Sequence, residues 1–147
     1  MTKDMKERIT DLVDEAKVAY VSSVDEKGYP MTKAMLSLQR DGLFTHYFST
    51  HCSNRRTQQF LKNSKACIYF CKEDSFEGLM LNGNIEVMTD RDHKAMLWRE
   101  GFEMYYPEGI ETENYCVYKF TAHKANFYYG LSDFDFLLED YENAGLS

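Results

Sequence analysis

Residues 50 to 56, Thr-His-Cys-Ser-Asn-Arg-Arg, place hydroxyls, an amide and two adjacent guanidinium groups in one short stretch. They lie where an apolar run, Leu43 to Phe48, gives way to a helical pattern carrying Phe60 and Leu61. A helix start presents free N–H groups and a partial positive charge. Ser53 or Asn54 is the expected N-cap. Arg55 and Arg56 then fall in the first turn, where the macrodipole disfavours cations by a few tenths of a kcal/mol. A bound dianion reverses that sign, because a phosphate accepts hydrogen bonds from backbone N–H, hydroxyl and guanidinium groups together. The alternative is a capped helix with two solvated arginines, and a single charge placement does not separate the two. Lys33 is the other cation of interest. On the same strand face as Met31 and Met35 it sits among apolar residues and reaches a second phosphate oxygen; the alternative is a snorkelling surface lysine.

Other chemistries find less support. His46, His51, Cys52 and Cys71 lack the paired short spacings of a zinc site, so no metal is expected. There is no Gly-x-Ser-x-Gly elbow and no Gly-x-Gly-x-x-Gly turn. Phe127, Tyr128, Tyr129, Trp98, Tyr105 and Tyr106 suit core or interface, with one or two rings free to flank a flat heterocycle.

The elements that must hold these residues fit one domain spanning all 147 residues. The net charge of −7 disfavours nucleic acid as a partner. No segment has the apolar length of a membrane span, and the N-terminus is too charged for a signal peptide, so the expected compartment is the cytoplasm with four free thiols. Met5, Ile9, Leu12, Val13 and Ala16 predict an opening helix. Residues 18–24, 29–39 and 43–49 read as three strands joined by tight turns, an antiparallel meander. A helix over 53–63, a strand over 66–72 and an alternating strand over 76–89 follow, with Gly83 marking a bulge or a close backbone approach. Cys67 and Cys71 share a strand face that suits core thiols. Thr89 or Asp90 caps a further helix. Residues 115–123 and 125–130 read as the last two strands, and 131–147 as an acidic, partly ordered extension. The fold expected is mostly β (α+β), an antiparallel barrel of six or seven strands with a few short flanking helices.

With these elements in order, the chain resembles the pyridoxamine phosphate oxidase-like family of FMN-binding split barrels, over about Ile9 to Gly130. The resemblance rests on Tyr-Pro-Met-Thr-Lys-Ala-Met, on residues 48–70 and on Gly-Leu-Met-Leu-Asn-Gly-Asn-Ile-Glu-Val. It implies a flavoprotein, an oxidoreductase using FMN, working as a homodimer with the flavin at the interface. It matches Lys33, Asn54 and Arg56 to phosphate-binding positions, with Ser53 and Arg55 beside them. Backbone at Ala34 and Met35 would meet the flavin. Phe48, Ser49 and Thr50 match the strand edge along the ring and ribityl chain, and Tyr128 a ring near the flavin. The chain departs from true pyridoxamine phosphate oxidases at three places: Leu38 replaces a basic residue, Gly78 a glutamine, and the segment after Gly130 has no Arg or His. It resembles instead the short general-stress-protein-like members. Catalytic residues stay unassigned. A deazaflavin in place of FMN, a flavin- or haem-binding protein without turnover, and a nitroimidazole-reductase-like enzyme using His46 or His51 remain as alternatives.

Overall fold

Thr2 starts the first helix, α1 (Lys3–Glu15), by accepting a 3.1 Å hydrogen bond from the Met5 amide, and α1 buries Ile9, Leu12 and Val13. The structure, a computed structural model, describes residues 1–146. Strand β1 (Val18–Val24) alternates buried and open positions. Its turn is set by Asp25, whose carboxylate accepts the amides of Lys27 and Tyr29, and by Gly28 at φ +86°. Pro30 opens β2 (Pro30–Leu36), an edge strand, where a missing N–H costs no ladder bond. Then come β3 (Gln39–Asp41), β4 (Thr45–His51), α2 (Arg55–Lys62), β5 (Lys65–Lys72), β6 (Glu77–Met88) and α3 (Arg91–Leu97), the last capped by Asp90. Two 3₁₀ turns, Phe102–Met104 and Gly109–Glu111, lead to β7 (Tyr115–Tyr129), β8 (Ser132–Phe136) and α4 (Leu138–Glu142).

Every strand pairing is antiparallel, in the order β2-β1-β5-β6-β7-β4-β3 with β8 beside β7. The curled sheet brings β2 against β4 without pairing them, and α2 packs on β1 and β6. The mostly β, α+β architecture is therefore as expected. Among the described residues no helix is long and apolar enough to cross a membrane.

Four details differ from the local reading. The first three strands form no meander: β4 pairs with the distant β7, because Phe48 and Tyr118 must meet in one core. The stretch expected as two final strands is one long β7, which pairs with β4 over its first half and β8 over its second. The expected extension is structure: Phe136 enters the core, and the Tyr141 hydroxyl meets the Thr10 hydroxyl at 2.6 Å; Ser147 lies outside the described residues. Cys67 and Cys71 face outward and are half-buried, since Ile68 and Phe70 take the core side of β5. The register shifts between Asn82 and Gly83, as the glycine suggested.

The main core fills the barrel around Phe48, Ile68, Phe70, Leu81, Phe120 and Phe127. A smaller core of Tyr47, Leu97, Phe102, Tyr106, Tyr115 and Val117 lies on the other face of β4 and β7. Alternation along β4 therefore sends Phe48 and Thr50 one way, and Tyr47, Ser49 and His51 the other.

Candidate functional site

The start of α2 is built by Asn54. Its side-chain oxygen accepts from the Thr57 amide at 2.9 Å and from the Tyr118 hydroxyl at 3.3 Å, while its amide nitrogen donates to Thr50 Oγ1 at 2.6 Å. Thr57 joins in, with its hydroxyl 2.6 Å from that of Tyr118. The network ties the helix start to β4 and β7. Asn54, not Ser53, is the cap, and most of its hydrogen-bonding capacity is spent on holding the turn. The first amides of the helix, those of Arg55 and Arg56, remain for solvent or a ligand. Buried Gln59 is held by a hydrogen bond from Ser23, which fastens α2 to β1.

Lys33 pairs with Val21, between the pairs Met31–Ser23 and Met35–Ala19, so it shares the strand face of Met31 and Met35. That face looks toward α2. Lys33, Asn54, Arg55 and Arg56 line one cavity of about 380 Å³ together with Met31, Thr32 and Gln59. Among the described residues none of the three cations is in an ion pair. The guanidinium Nε of Arg56 is buried with no hydrogen-bond partner. A buried donor without an acceptor costs on the order of 1–3 kcal/mol. An anion in this cavity would remove that cost.

Arg56 also borders a second cavity, of about 210 Å³, between β2 and the end of β4. Ala34, Met35, Ser49 and Thr50 form one side. Leu36, Leu38, Phe102, Tyr105 and Tyr106 form an apolar and aromatic wall, and His51 stands at the edge. The His51 Nε2–H donates to the Tyr105 carbonyl at 3.1 Å. Its ring lies 4.9 Å from that of Tyr106. Burial pushes the Tyr106 hydroxyl well above the usual phenol range, so it stays protonated.

Of the expected site residues, the fold brings eight into these two adjoining cavities: Lys33, Asn54, Arg55, Arg56, Ala34, Met35, Ser49 and Thr50. Phe48 turns its ring into the main core, Ser53 is exposed beside the site, and neither lines a cavity there. Tyr128 lies on the outer sheet face, hydrogen-bonded to Tyr69. His46 is a core residue: its Nε2–H donates to the Leu43 carbonyl at 2.6 Å, and burial lowers its pKa to about 4. Of the two histidines considered for a reductase, only His51 reaches the site. Gln59, Thr32 and Phe102 are additions; no local spacing signals them, because packing of α2 and of the 101–113 segment carries them there.

Comparison with known proteins agrees with this architecture. The family model described as pyridoxamine 5'-phosphate oxidase matches residues 5–129. No curated protein sequence matches the chain. Among solved structures, a protein of Clostridium acetobutylicum related to general stress protein 26 of B. subtilis (pyridoxinephosphate oxidase family) is 38% identical, with 96% of this chain and 99% of that chain covered and a TM-score of 0.87. General stress protein 26 of Bacillus anthracis is 16% identical over 90% of this chain and 98% of its own, with a TM-score of 0.73. A heme binding protein from Mycobacterium smegmatis shares the fold at 14% identity, 95% of this chain and 60% of that one, with a TM-score of 0.70. A barrel matched along its length, with a cation-lined helix start in the split between β2 and β4, shows that this chain belongs to the pyridoxamine 5'-phosphate oxidase family.

Proposed function

We propose that the chain is a flavoprotein that holds FMN, with its phosphate among Lys33, Arg55 and Arg56 and its tricycle in the adjoining aromatic cavity, and that it acts as an oxidoreductase. The observation that carries this reading is the buried, partnerless Nε of Arg56 in the first turn of α2. The residues present fit the group: cations and free helix amides at one end, apolar and aromatic surface at the other. When bound, a flavin supplies the electron transfer that side chains cannot. The chain's own part is to neutralise the phosphate, fix the ring against the β2 edge and exclude water with Phe102, Tyr105 and Tyr106.

Oxidation of pyridoxamine phosphate is a poor match. Leu38, in place of the basic residue of true pyridoxamine phosphate oxidases, lies in the wall of the second cavity, and Arg56 is the one permanently charged residue among its liners. A second reading is a flavin or haem binding protein without turnover, in line with the heme binding protein that shares the fold. The two are separated by whether the reconstituted protein oxidises NADH or NADPH faster than free FMN does.

The same reading makes the functional unit a homodimer in the cytoplasm. Tyr20 and Leu36 are exposed on the outer face of β1 and β2, with Tyr69 and Tyr128 farther along that face. A second copy seated there would cover them and bring Tyr128 near a bound ring. Sedimentation at twice the chain mass is expected; a monomer at micromolar concentration would remove the dimer from the proposal. The cofactor itself is tested by the visible spectrum of the purified protein and by mass spectrometry of whatever heat releases. Failure to take up added FMN would refute the flavin site.

A further inference from the structure

The aromatic wall of the second cavity is the near side of a larger ring cluster. Tyr106 lines the cavity and stacks on Tyr115, with centroids 4.3 Å apart and planes at 26°. Trp98 lies 6.1 Å from Tyr106 and 5.8 Å from Tyr115. Neither Tyr115 nor Trp98 lines the cavity; Tyr115 is fully buried and Trp98 half-buried. A series of touching rings therefore runs from the cavity, through Tyr106, to a tryptophan at the protein surface.

Local structure fixes these rings. Trp98 is the C-cap of α3, and its carbonyl accepts from Arg99, which also donates to the carbonyl of Leu38. The Tyr106 amide donates to the Phe102 carbonyl at 2.8 Å, and the Tyr115 hydroxyl to the Lys94 carbonyl at 2.9 Å. Packing alone would be served by phenylalanine at each place. What a phenol and an indole add is ease of oxidation, since both give up an electron more readily than a phenylalanine ring. They differ in one respect. An oxidised phenol is stable only once its proton has left, whereas an oxidised indole holds its charge without losing a proton. Trp98 is thus the ring on which a positive charge started at Tyr106 comes to rest.

We infer that Tyr106 and Trp98 form an electron-donating relay toward a flavin ring in the aromatic cavity, and that this relay keeps the bound flavin dark. The inference rests on the flavin reading of the site and extends it. Light supplies the energy. One electron passes from Tyr106 to the light-excited ring, Trp98 refills Tyr106, and the electron then returns from the flavin to Trp98. No bond forms or breaks, no proton moves, and no external oxidant or reductant is consumed. The excited flavin is returned to its ground state before it can emit or react with oxygen.

The test is time-resolved emission and transient absorption of the FMN-loaded protein. Bound FMN is expected to lose most of the emission of free FMN, with a short-lived indole radical-cation band after each flash. Trp98→Phe should abolish that band. Tyr106→Phe with Trp98→Phe should restore most of the emission, while FMN affinity changes by less than about threefold because a ring stays at both places. A merely structural role of the two rings would leave the emission unmoved at equal affinity. Bound FMN as bright as free FMN, or a double variant as dark as the wild type, overturns the relay and leaves the cradle standing. A protein that does not bind FMN overturns the cradle reading, and this inference with it.

Discussion

The hydroxyls of Tyr69 and Tyr128 meet at 2.7 Å above Gly78 on the outer face of the sheet. A Cβ on Gly78 would stand 2.2 Å from the Tyr69 oxygen and 2.4 Å from Tyr128 Cε1. The position where the resemblance expected a glutamine is thus filled by two tyrosines from neighbouring strands. Gly78→Ala is expected to break the tyrosine pair and cost about 1–2 kcal/mol, measured by urea unfolding. Adding Tyr69→Phe removes the nearest clashing atom and should restore part of the loss.

Gly83 is the harsher case. Its Cβ would meet the Thr121 carbonyl oxygen at 2.0 Å and Ala122 Cα at 2.7 Å, both backbone at the bulge. Backbone cannot swing aside as a side chain does. Gly83→Ala should cost more than Gly78→Ala, about 3 kcal/mol or more, read from the same unfolding curves.

Removing the cations at the cradle should leave the fold and abolish retention. Arg56→Ala with Lys33→Ala is expected to weaken FMN at least about a hundredfold, with an unchanged far-ultraviolet spectrum. Wild-type FMN affinity in that variant would dispose of the assigned phosphate site.

Asn54 separates capping from anion binding. Asn54→Asp keeps an excellent N-cap acceptor but loses the donor to Thr50 and sets a negative charge beside the proposed phosphate site. Stability should change by less than about 1 kcal/mol, while FMN affinity falls about tenfold or more. Equal loss of both would mean that Asn54 acts only as structure.

His46 sets a pH dependence of stability. It is neutral when folded, its pKa lowered from 6.5 to about 4 by burial. Above pH 6.5 both states are neutral there and pH has no leverage. As pH falls from 6.5 toward 4 the unfolded chain takes up the proton first, so stability drops, by up to about 3 kcal/mol. His46→Gln, which keeps a donor for the Leu43 carbonyl, should flatten that slope in unfolding measured from pH 7 to pH 4.5. An unchanged slope would assign the acid sensitivity to other groups.

Local pattern carried much of this protein. The helical spacing of Ile9, Leu12 and Val13, the turn at Asp25–Gly28, the bulge at Gly83 and the cationic helix start at Arg55 and Arg56 are all short-range features, decided by period, capping and backbone freedom. What the sequence left open was set by contacts between distant segments. Alternation says that β4 has two faces but not which strand lies beside it, and the pairing of β4 with β7 depends on Phe48 and Tyr118 sharing a core across 70 positions of chain. The same long-range packing turned Cys67 outward, enclosed His46, and drew the last residues into a strand and a helix. It also decided the site. Lys33 lines one cavity with Arg56 only because the sheet curls β2 onto β4 and α2, a closure that no residue near either one encodes.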